Sequence, residues 1–275
     1  MALNLIKAGY DVTVWNRTPG KCDSLANAGA KVGSSPADVV RSCDITLAMV
    51  SDPEACLNLA FGPNGVAEGI SAGKGYVDVS TVDAETAAQV AAAVRAKGGL
   101  YLEAPVSGSK GPAEQGQLIF LTAGDQQLFE AAGPLLDVTG KAKFFLGEVG
   151  AGANMKLVVN MIMGTMMAAY AEGLSLAEQS GLKKEDLIEV IKLGAIAAPM
   201  FALKGPGMAA RNYPTAFPLK HQQKDMRLAI ALGDKLGQAL PTSATANELY
   251  KQARAQNLGD ADFSAVLEAI AVQPK

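Results

Sequence analysis

The first half of the chain alternates short apolar runs with amphipathic stretches, which predicts alternating strands and helices. The apolar run at 45–50, for example, is stopped by Ser51, Asp52 and Pro53. Strands that alternate with helices are typical of a mostly parallel, doubly wound sheet. We expect strands at 12–15, 45–50, 76–80, 100–103, 118–122 and 143–146, with helices at 21–28, 84–97 and 126–136.

The second half has a helical period throughout. Glycines at 147, 150 and 152 mark a boundary, so we predict an α/β domain over 1–149 and an all-α domain over 150–275. The predicted helices cover 151–181, 184–193, 200–211, 224–236, 243–256 and 262–271.

The start of the chain departs from the usual dinucleotide-binding pattern. Such a domain opens with a strand, a Gly-rich turn and a helix whose N-terminus faces the pyrophosphate. Residues 1–8 are predicted to be the end of that helix, closed by Gly9, and no G-x-G-x-x-G stands near them. We therefore expect a Rossmann-like domain whose first strand and Gly-rich turn are missing, from a truncated or alternatively started product.

Lys156 and Asn160 stand out in an otherwise apolar helical stretch. They lie one turn apart and share a face, while residues 157–159 and 161–163 are apolar. A helix that is apolar all round is buried, and its polar groups then need partners. The lysine of such a helix can simply snorkel to solvent. Alternatively, a protonated lysine in apolar surroundings is suited to protonate an alkoxide that forms on a substrate carbonyl.

Composition narrows the class of protein. The formal charge of −3 and the pI near 5.3 make nucleic acid an unfavoured partner. His221 is the single histidine, so a multi-histidine zinc site is excluded and no metal is predicted. Three cysteines without a C-x-x-C pair indicate free thiols. Polar breaks after Asn160 argue against a membrane span.

The end of the predicted second strand indicates which cofactor the domain binds. NAD-binding sheets usually carry a carboxylate there, whereas NADP-binding sheets place an arginine nearby for the 2′-phosphate. This chain has Asn16, Arg17 and Thr18, with no carboxylate. The guanidinium and the hydroxyl favour NADP. In the alternative reading Arg17 only closes a surface turn.

Four motifs follow one another along the chain: D-V-S-T at 78–81, A-P-V-S-G at 104–108, the Lys156 to Asn160 segment, and K-D-M-R-L-A at 224–229. Together they resemble the β-hydroxyacid dehydrogenases, and within that family most closely the plant-type glyoxylate and succinic semialdehyde reductases. The resemblance extends over essentially the whole chain. The narrower likeness depends on V-S-G-S-K-G-P-A-E at 106–114 and F-P-L-K-H-Q-Q-K-D at 217–225.

The resemblance implies a role for each motif. Lys156 would be the general acid in reduction, and Asn160 would orient substrate or lysine. For the substrate it implies a carboxylate-binding turn at Ser107, Gly108 and Ser109. The alternative is that these residues only form a turn after a strand. The remaining implied contacts are Val50, Ser51, Thr81 and Lys224 toward the cofactor, Asp225 as a positioning group, and Phe217 as an apolar wall or simply core.

The predicted function is therefore NADPH-dependent reduction of short aldehyde acids, namely glyoxylate and succinic semialdehyde. A 3-hydroxyisobutyrate or tartronate semialdehyde enzyme on the same scaffold is one alternative, and a non-catalytic oligomerisation or binding module is another. The apolar helix after Lys156 suggests a homodimer or tetramer. The predicted compartment is the cytoplasm, with plastid or mitochondrion left open because we expect the true start to lie outside the sequence.

Overall fold

A computed structural model of the protein describes residues 1–272. The chain divides into two compact units, Met1–Lys156 and a second one that begins at Leu157. The predicted boundary after residue 149 falls a few residues earlier and stays a prediction.

The first unit contains eight strands and is of the α/β class. The strands are β1 (Thr13–Val14), β2 (Lys31–Val32), β3 (Ile45–Ala48), β4 (Gly75–Asp78), β5 (Leu100–Glu103), β6 (Val106–Ser107), β7 (Leu118–Gly124) and β8 (Gly140–Phe145).

The strands form two sheets. Strands β1 and β2 pair in parallel as a separate two-stranded sheet. The larger sheet has the order β3-β4-β5-β7-β6, and β8 pairs with β7. The β3–β4, β4–β5 and β7–β8 pairs are parallel, whereas β7 runs antiparallel to β5 and β6.

Helices of the first unit follow the strand ends. They are α1 (Ala2–Lys7), α2 (Asp23–Asn27), α3 (Pro36–Ser42), α4 (Pro53–Phe61), α5 (Val66–Gly69), α6 (Ala84–Ala96), α7 (Lys110–Glu114) and α8 (Gln126–Thr139), with a 3₁₀ turn at Pro19–Cys22. Three of them start at a side-chain cap: Ser35, Asp52 and Asp83 accept the amides of Asp38, Ala55 and Thr86.

Both faces of the larger sheet are covered, as a doubly wound sheet requires. Tyr76 and Tyr101 pack with Val90 of α6 in one buried cluster. Their neighbours Val77 and Leu102 pack in another cluster, with residues of α8. Successive strand residues point to opposite faces, which explains this division. The predicted fold class is confirmed.

The second unit is helical. Helix α9 (Ala151–Gln179) crosses the boundary into it and is followed by α10 (Lys184–Leu193), α11 (Pro199–Ala209), α12 (Leu219–Leu236), α13 (Pro241–Ala255), a 3₁₀ turn at Phe263–Val266 and α14 (Leu267–Ile270). Its core gathers large buried side chains from most of these elements, among them Met167, Leu174, Met208, Tyr250 and Phe263.

Helix α9 is less buried than its composition predicts. Met155, Val158 and Ile162 are 41%, 41% and 49% exposed, so α9 is not buried all round within a single chain. By length and composition alone α9 is also able to cross a membrane, a test that the core helix of a soluble protein passes as well.

Other differences from the predicted elements have local causes. Strand β2 and helices α3 and α4 were not expected, because each is short and lacks a long apolar period. Helix α12 begins at Leu219, whose side chain is fully buried, rather than at residue 224. Lys224 and Asp225 therefore lie in the second turn of the helix.

Candidate functional site

Lys156 lies near the start of α9 and is buried, with 7% of its surface exposed. The helix start is fixed by Glu103, at the end of β5. One oxygen of its carboxyl group, Oε1, accepts hydrogen bonds from the amides of Gly150, Gly152 and Ala153 at 2.8, 2.7 and 3.3 Å. Lys156 is thus predicted correctly as a buried lysine, one turn beyond an anchored helix start.

Asn160 has buried polar neighbours within the helical unit. Its side-chain amide donates to Asp225 Oδ2 at 2.6 Å, and its backbone oxygen accepts from Gln222 Nε2 at 2.8 Å. Lys224 Nζ lies 3.1 Å from the other oxygen of Asp225. The structure therefore brings together three predicted site residues, Asn160, Lys224 and Asp225, on α9 and α12.

Phe217 precedes α12 and packs on the helical core. Its ring centroid lies 5.9 Å from that of Phe263 and 6.5 Å from that of His221. The amide of Phe217 donates to Asp262 Oδ2 at 3.2 Å, and Lys204 Nζ contacts the same oxygen at 2.7 Å. These contacts agree with the core reading of Phe217, and its role as a substrate wall stays a prediction.

Two predicted cofactor contacts, Val50 and Thr81, lie next to Ser80 at the carboxyl ends of β3 and β4. Its Oγ accepts the amide of Val50 at 3.0 Å, and Thr81, which is half-buried, follows it in the chain. Ser51 Oγ donates to Asp52 Oδ2 at 2.6 Å, where Asp52 starts α4. Val50, Ser51 and Thr81 therefore belong to one edge of the larger sheet.

Sequence reasoning missed the buried carboxyl group beneath this edge. Asp78 is 1% exposed and accepts from Cys56 Sγ at 3.1 Å and from the Ser80 amide at 2.9 Å. Burial raises the pKa of Asp78 above its ordinary value. The hydrogen bonds from Ser80 and Cys56 offset only part of this effect. A carboxylate that ends an apolar strand, as Asp78 and Glu103 both do, is the sequence signal that would have found these groups.

Asn16, Arg17 and Thr18 are exposed in the turn after β1. Asn16 Oδ1 accepts the amide of Thr18 at 2.9 Å, which shapes the turn through a local side-chain bond. The turn thus presents a guanidinium group and a hydroxyl group to solvent.

Ser107 ends β6, and Gly108 and Ser109 connect this strand to the short helix α7. Gly108 has φ +123°, and a Cβ there would lie 2.9 Å from Leu118 Cδ2, so this position requires glycine. Ser107 and Ser109 are half-buried. The predicted carboxylate-binding turn, the Asn16 to Thr18 turn and the Val50 to Ser51 segment lie on three different connections of the first unit.

Known proteins match both halves of the chain. Residues 1–150 match the NAD binding domain of 6-phosphogluconate dehydrogenase, and residues 150–270 match the NAD-binding domain of NADP-dependent 3-hydroxyisobutyrate dehydrogenase. Two Arabidopsis thaliana proteins, glyoxylate/succinic semialdehyde reductase 2, chloroplastic, and glyoxylate/succinic semialdehyde reductase 1, are 61% and 57% identical to it over 98% of this chain. The matched parts are 75% and 93% of those proteins.

The chain belongs to the β-hydroxyacid dehydrogenase family. It is accordingly an NAD(P)-binding oxidoreductase that acts on the CH–OH group. The solved structure of Mycobacterium tuberculosis 3-hydroxyisobutyrate dehydrogenase with L-serine agrees with the fold. It is 27% identical, has a TM-score of 0.87, and the match covers 98% of this chain and 94% of that one. The family resemblance read from the four motifs is confirmed, while the role of each site residue stays a prediction.

Proposed function

We propose that the protein reduces glyoxylate to glycolate and succinic semialdehyde to 4-hydroxybutyrate with NADPH, and that Lys156 is the general acid. The observation that carries this proposal is the buried Lys156 at the anchored start of α9, in a chain that is more than half identical to two reductases of these substrates.

The turn after β1 fits the 2′-phosphate of NADP. Arg17 is exposed there, Thr18 adds a hydroxyl group, and residues 15–18 contain no carboxylate that would repel an anion. A guanidinium group binds phosphate through two parallel hydrogen bonds. Val50, Ser51 and Thr81 would contact the rest of the cofactor at the strand ends, where open α/β sheets bind ligands.

Lys156 would complete the reduction by giving a proton to the carbonyl oxygen. NADPH, when bound, supplies the hydride that the carbonyl carbon receives. The carbon–oxygen double bond becomes a single bond, and its oxygen takes the proton from Nζ. We propose Nζ as the donor because Lys156 is itself buried, with 7% of its surface exposed.

Ser107, with the amides of Gly108 and Ser109, would hold the substrate carboxylate. The turn presents several donors to an anion, and glyoxylate and succinic semialdehyde share that anion. They differ by two methylene groups between the carboxylate and the aldehyde carbon. We infer that the same anchor serves both and that the chain length between them sets the preference.

Residues of the helical unit would assist. Asp225 fixes the amide of Asn160, which we propose orients the substrate or the lysine, and Lys224 would bind the cofactor. Matches that meet at residue 150 support the boundary between domains 1–149 and 150–275.

For assembly we propose a homodimer or tetramer, supported by the exposed apolar residues Met155, Val158 and Ile162 on α9. For location we propose the cytoplasm, with the plastid as the alternative that the chloroplastic relative supports.

A substrate panel tests the proposal. NADPH oxidation would be followed with glyoxylate, succinic semialdehyde, methylmalonate semialdehyde and tartronate semialdehyde, and each would be repeated with NADH. We expect the highest kcat/KM with the first two substrates and a clear preference for NADPH. A preference for either of the last two aldehydes would assign the chain to a different dehydrogenase of the family, and no turnover of any would favour the non-catalytic alternative.

A further inference from the structure

Glu103 links the end of β5 to the helix that carries Lys156. Its Oε1 accepts three amides at the start of α9, from Gly150 just before the helix and from Gly152 and Ala153 in its first turn, at distances of 2.7 to 3.3 Å. These amides belong to the group that a helix leaves without internal partners. A single carboxyl oxygen therefore fixes the position and the direction of the helix start.

The glycines of this turn allow the close contact. A Cβ on Gly152 would lie 2.4 Å from the carbonyl oxygen of Leu121 and 3.0 Å from Glu103 Oε1, so no side chain fits there. Gly150 has φ +102° and a Cβ on it would meet Ala84 at 3.1 Å. The helix start is thus held against β5 and β7 at backbone distance, and Lys156 lies one turn beyond Gly152 on the same face.

The carboxyl group of Glu103 is ionisable and buried. It is 2% exposed, and its second oxygen, Oε2, has no hydrogen-bond partner among the described residues. The titratable groups that interact with it are Asp78 on β4 and Tyr101 on β5. Burial raises the pKa of Glu103 to about 7, against the three amide donors, which lower it.

A negative charge at this place acts on Lys156. The N-terminus of a helix carries about half a positive elementary charge, which disfavours an ammonium group in the first turns. At a pH above its pKa, Glu103 is ionised on that terminus and offsets the effect. It therefore favours the protonated form of Lys156 that reduction requires.

We propose that Glu103 is a positioning residue for the reaction, one that anchors the first turn of α9 and keeps Lys156 placed and charged for proton transfer. This inference rests on the proposed role of Lys156. It assigns to Glu103 no contact with the substrate or the cofactor.

The test compares Glu103→Ala, which removes the acceptor, with Glu103→Gln, which keeps an acceptor oxygen but removes the charge. Glu148→Gln is the matched control, because Glu148 is exposed, lies two residues before Gly150 and loses the same charge. The measurements are kcat and KM with NADPH and glyoxylate, the pH profile of kcat/KM, and amide hydrogen exchange of residues 150–153 in the cofactor-free protein.

In Glu103→Ala we expect kcat to fall by about ten-fold, with both KM values nearly unchanged, and the amides at 150, 152 and 153 to exchange about ten-fold faster, because one hydrogen bond is worth about that factor. In Glu103→Gln we expect a kcat close to the parent's at neutral pH. The alkaline limb of the kcat/KM profile of Glu103→Gln should move to lower pH by about half a unit, because loss of a negative charge at the helix start makes the ammonium group of Lys156 easier to deprotonate. Glu148→Gln should match the parent in all three measurements.

Two results would overturn the proposal. In the first, both Glu103 variants melt at a lower temperature, but kcat, the alkaline limb of the kcat/KM profile and the amide exchange rates are unchanged. The carboxyl group would then contribute to stability only. The other is an equal shift of the alkaline limb in Glu148→Gln. If Glu103→Ala does not fold, the alkaline limb of the kcat/KM profile of Glu103→Gln alone decides whether the proposal holds. A fully active Lys156→Ala would instead refute the proposed function, and the exchange data would still decide whether Glu103 holds the helix.

Discussion

The polar groups carried by helices differ from those carried by the loops of the first unit in what surrounds them. Asn160 is 2% exposed and donates to the buried Asp225, whereas Arg17 and Thr18 are exposed in their turn. A buried polar group must be satisfied within the folded protein, while an exposed one is solvated until a ligand replaces the water. Substitutions of the helix-borne groups should therefore affect folding or chemistry, and those of the loop-borne groups should affect binding alone.

The largest effect is expected at Lys156. Lys156→Ala should lower kcat for glyoxylate by about 10²–10⁴-fold, the range typical of a lost acid–base group, while KM for NADPH stays nearly the same. Steady-state kinetics with both substrates measures the effect, and Lys220→Ala, which removes a half-exposed lysine of α12, serves as the control. A variant that turns over within a few-fold of the parent would show that another group donates the proton.

The next effect, on stability, is expected at a buried ion pair of the helical unit. Lys204 and Asp262 are 12% and 1% exposed and lie 2.7 Å apart. Although burial alone would raise the pKa of Asp262, Lys204 and Ser264 hold it below its ordinary value. Lys204→Met would leave the carboxylate buried without its cation, and we expect a loss of about 3 kcal/mol in the free energy of unfolding.

Urea denaturation of Lys204→Met and of Lys192→Met measures this difference. Lys192 pairs with Glu189 at the surface, where both side chains are more than half exposed, so its removal should cost less than about 1 kcal/mol. Equal losses in the two variants would contradict the comparison between buried and exposed groups.

The fold was predictable where a long pattern decides it. The alternation of apolar runs gave the strands from β3 to β5 and the helices α6 and α8, and the helical period gave α9, α10 and α13, all within a few residues. Elements of two to nine residues, such as β2 and α4, are too short to show a hydrophobic period, because their tertiary contacts determine their structure. The exposure of Met155, Val158 and Ile162 on α9 was not predicted, because composition alone does not indicate which face of an apolar helix packs against the rest of the chain.

The site was predictable to different depths. Two polar residues in an apolar helix identified Lys156 and Asn160 from physical reasoning, and both are buried as expected. The partner of Asn160 on α12, Asp225, came only from the resemblance, because its distance of 65 positions leaves no local signal. Glu103 was missed although a carboxylate at the end of an apolar strand is a signal of a buried contact.

Ser107, at the end of β6 where the loop to α7 begins, tests the same comparison at a half-buried position. Ser107→Ala should raise KM for glyoxylate and for succinic semialdehyde by about ten-fold, since a hydrogen bond to a charged group contributes about 1.5–3 kcal/mol. An aldehyde without an acid group should be nearly unaffected, and the melting temperature should stay with that of Ser71→Ala, an exposed control. If the uncharged aldehyde suffers the same loss, Ser107 acts on the carbonyl group or on the fold.

The smallest effect is expected at Arg17, and it is also the most selective. Because the side chain is exposed and contacts a phosphate only in the bound state, Arg17→Ala should leave the free energy of unfolding within about 0.5 kcal/mol of the parent's. KM for NADPH should rise by about five-fold and KM for NADH should stay nearly constant, since an exposed charge pair contributes up to about 1 kcal/mol and NADH has no 2′-phosphate. Arg41→Ala removes an equal charge from the exposed surface of α3 and should change neither KM. An equal loss for both cofactors would mean that Arg17 shapes the turn after β1 rather than selecting NADP. A loss of stability would place Arg17 with the helix-borne groups and break the comparison.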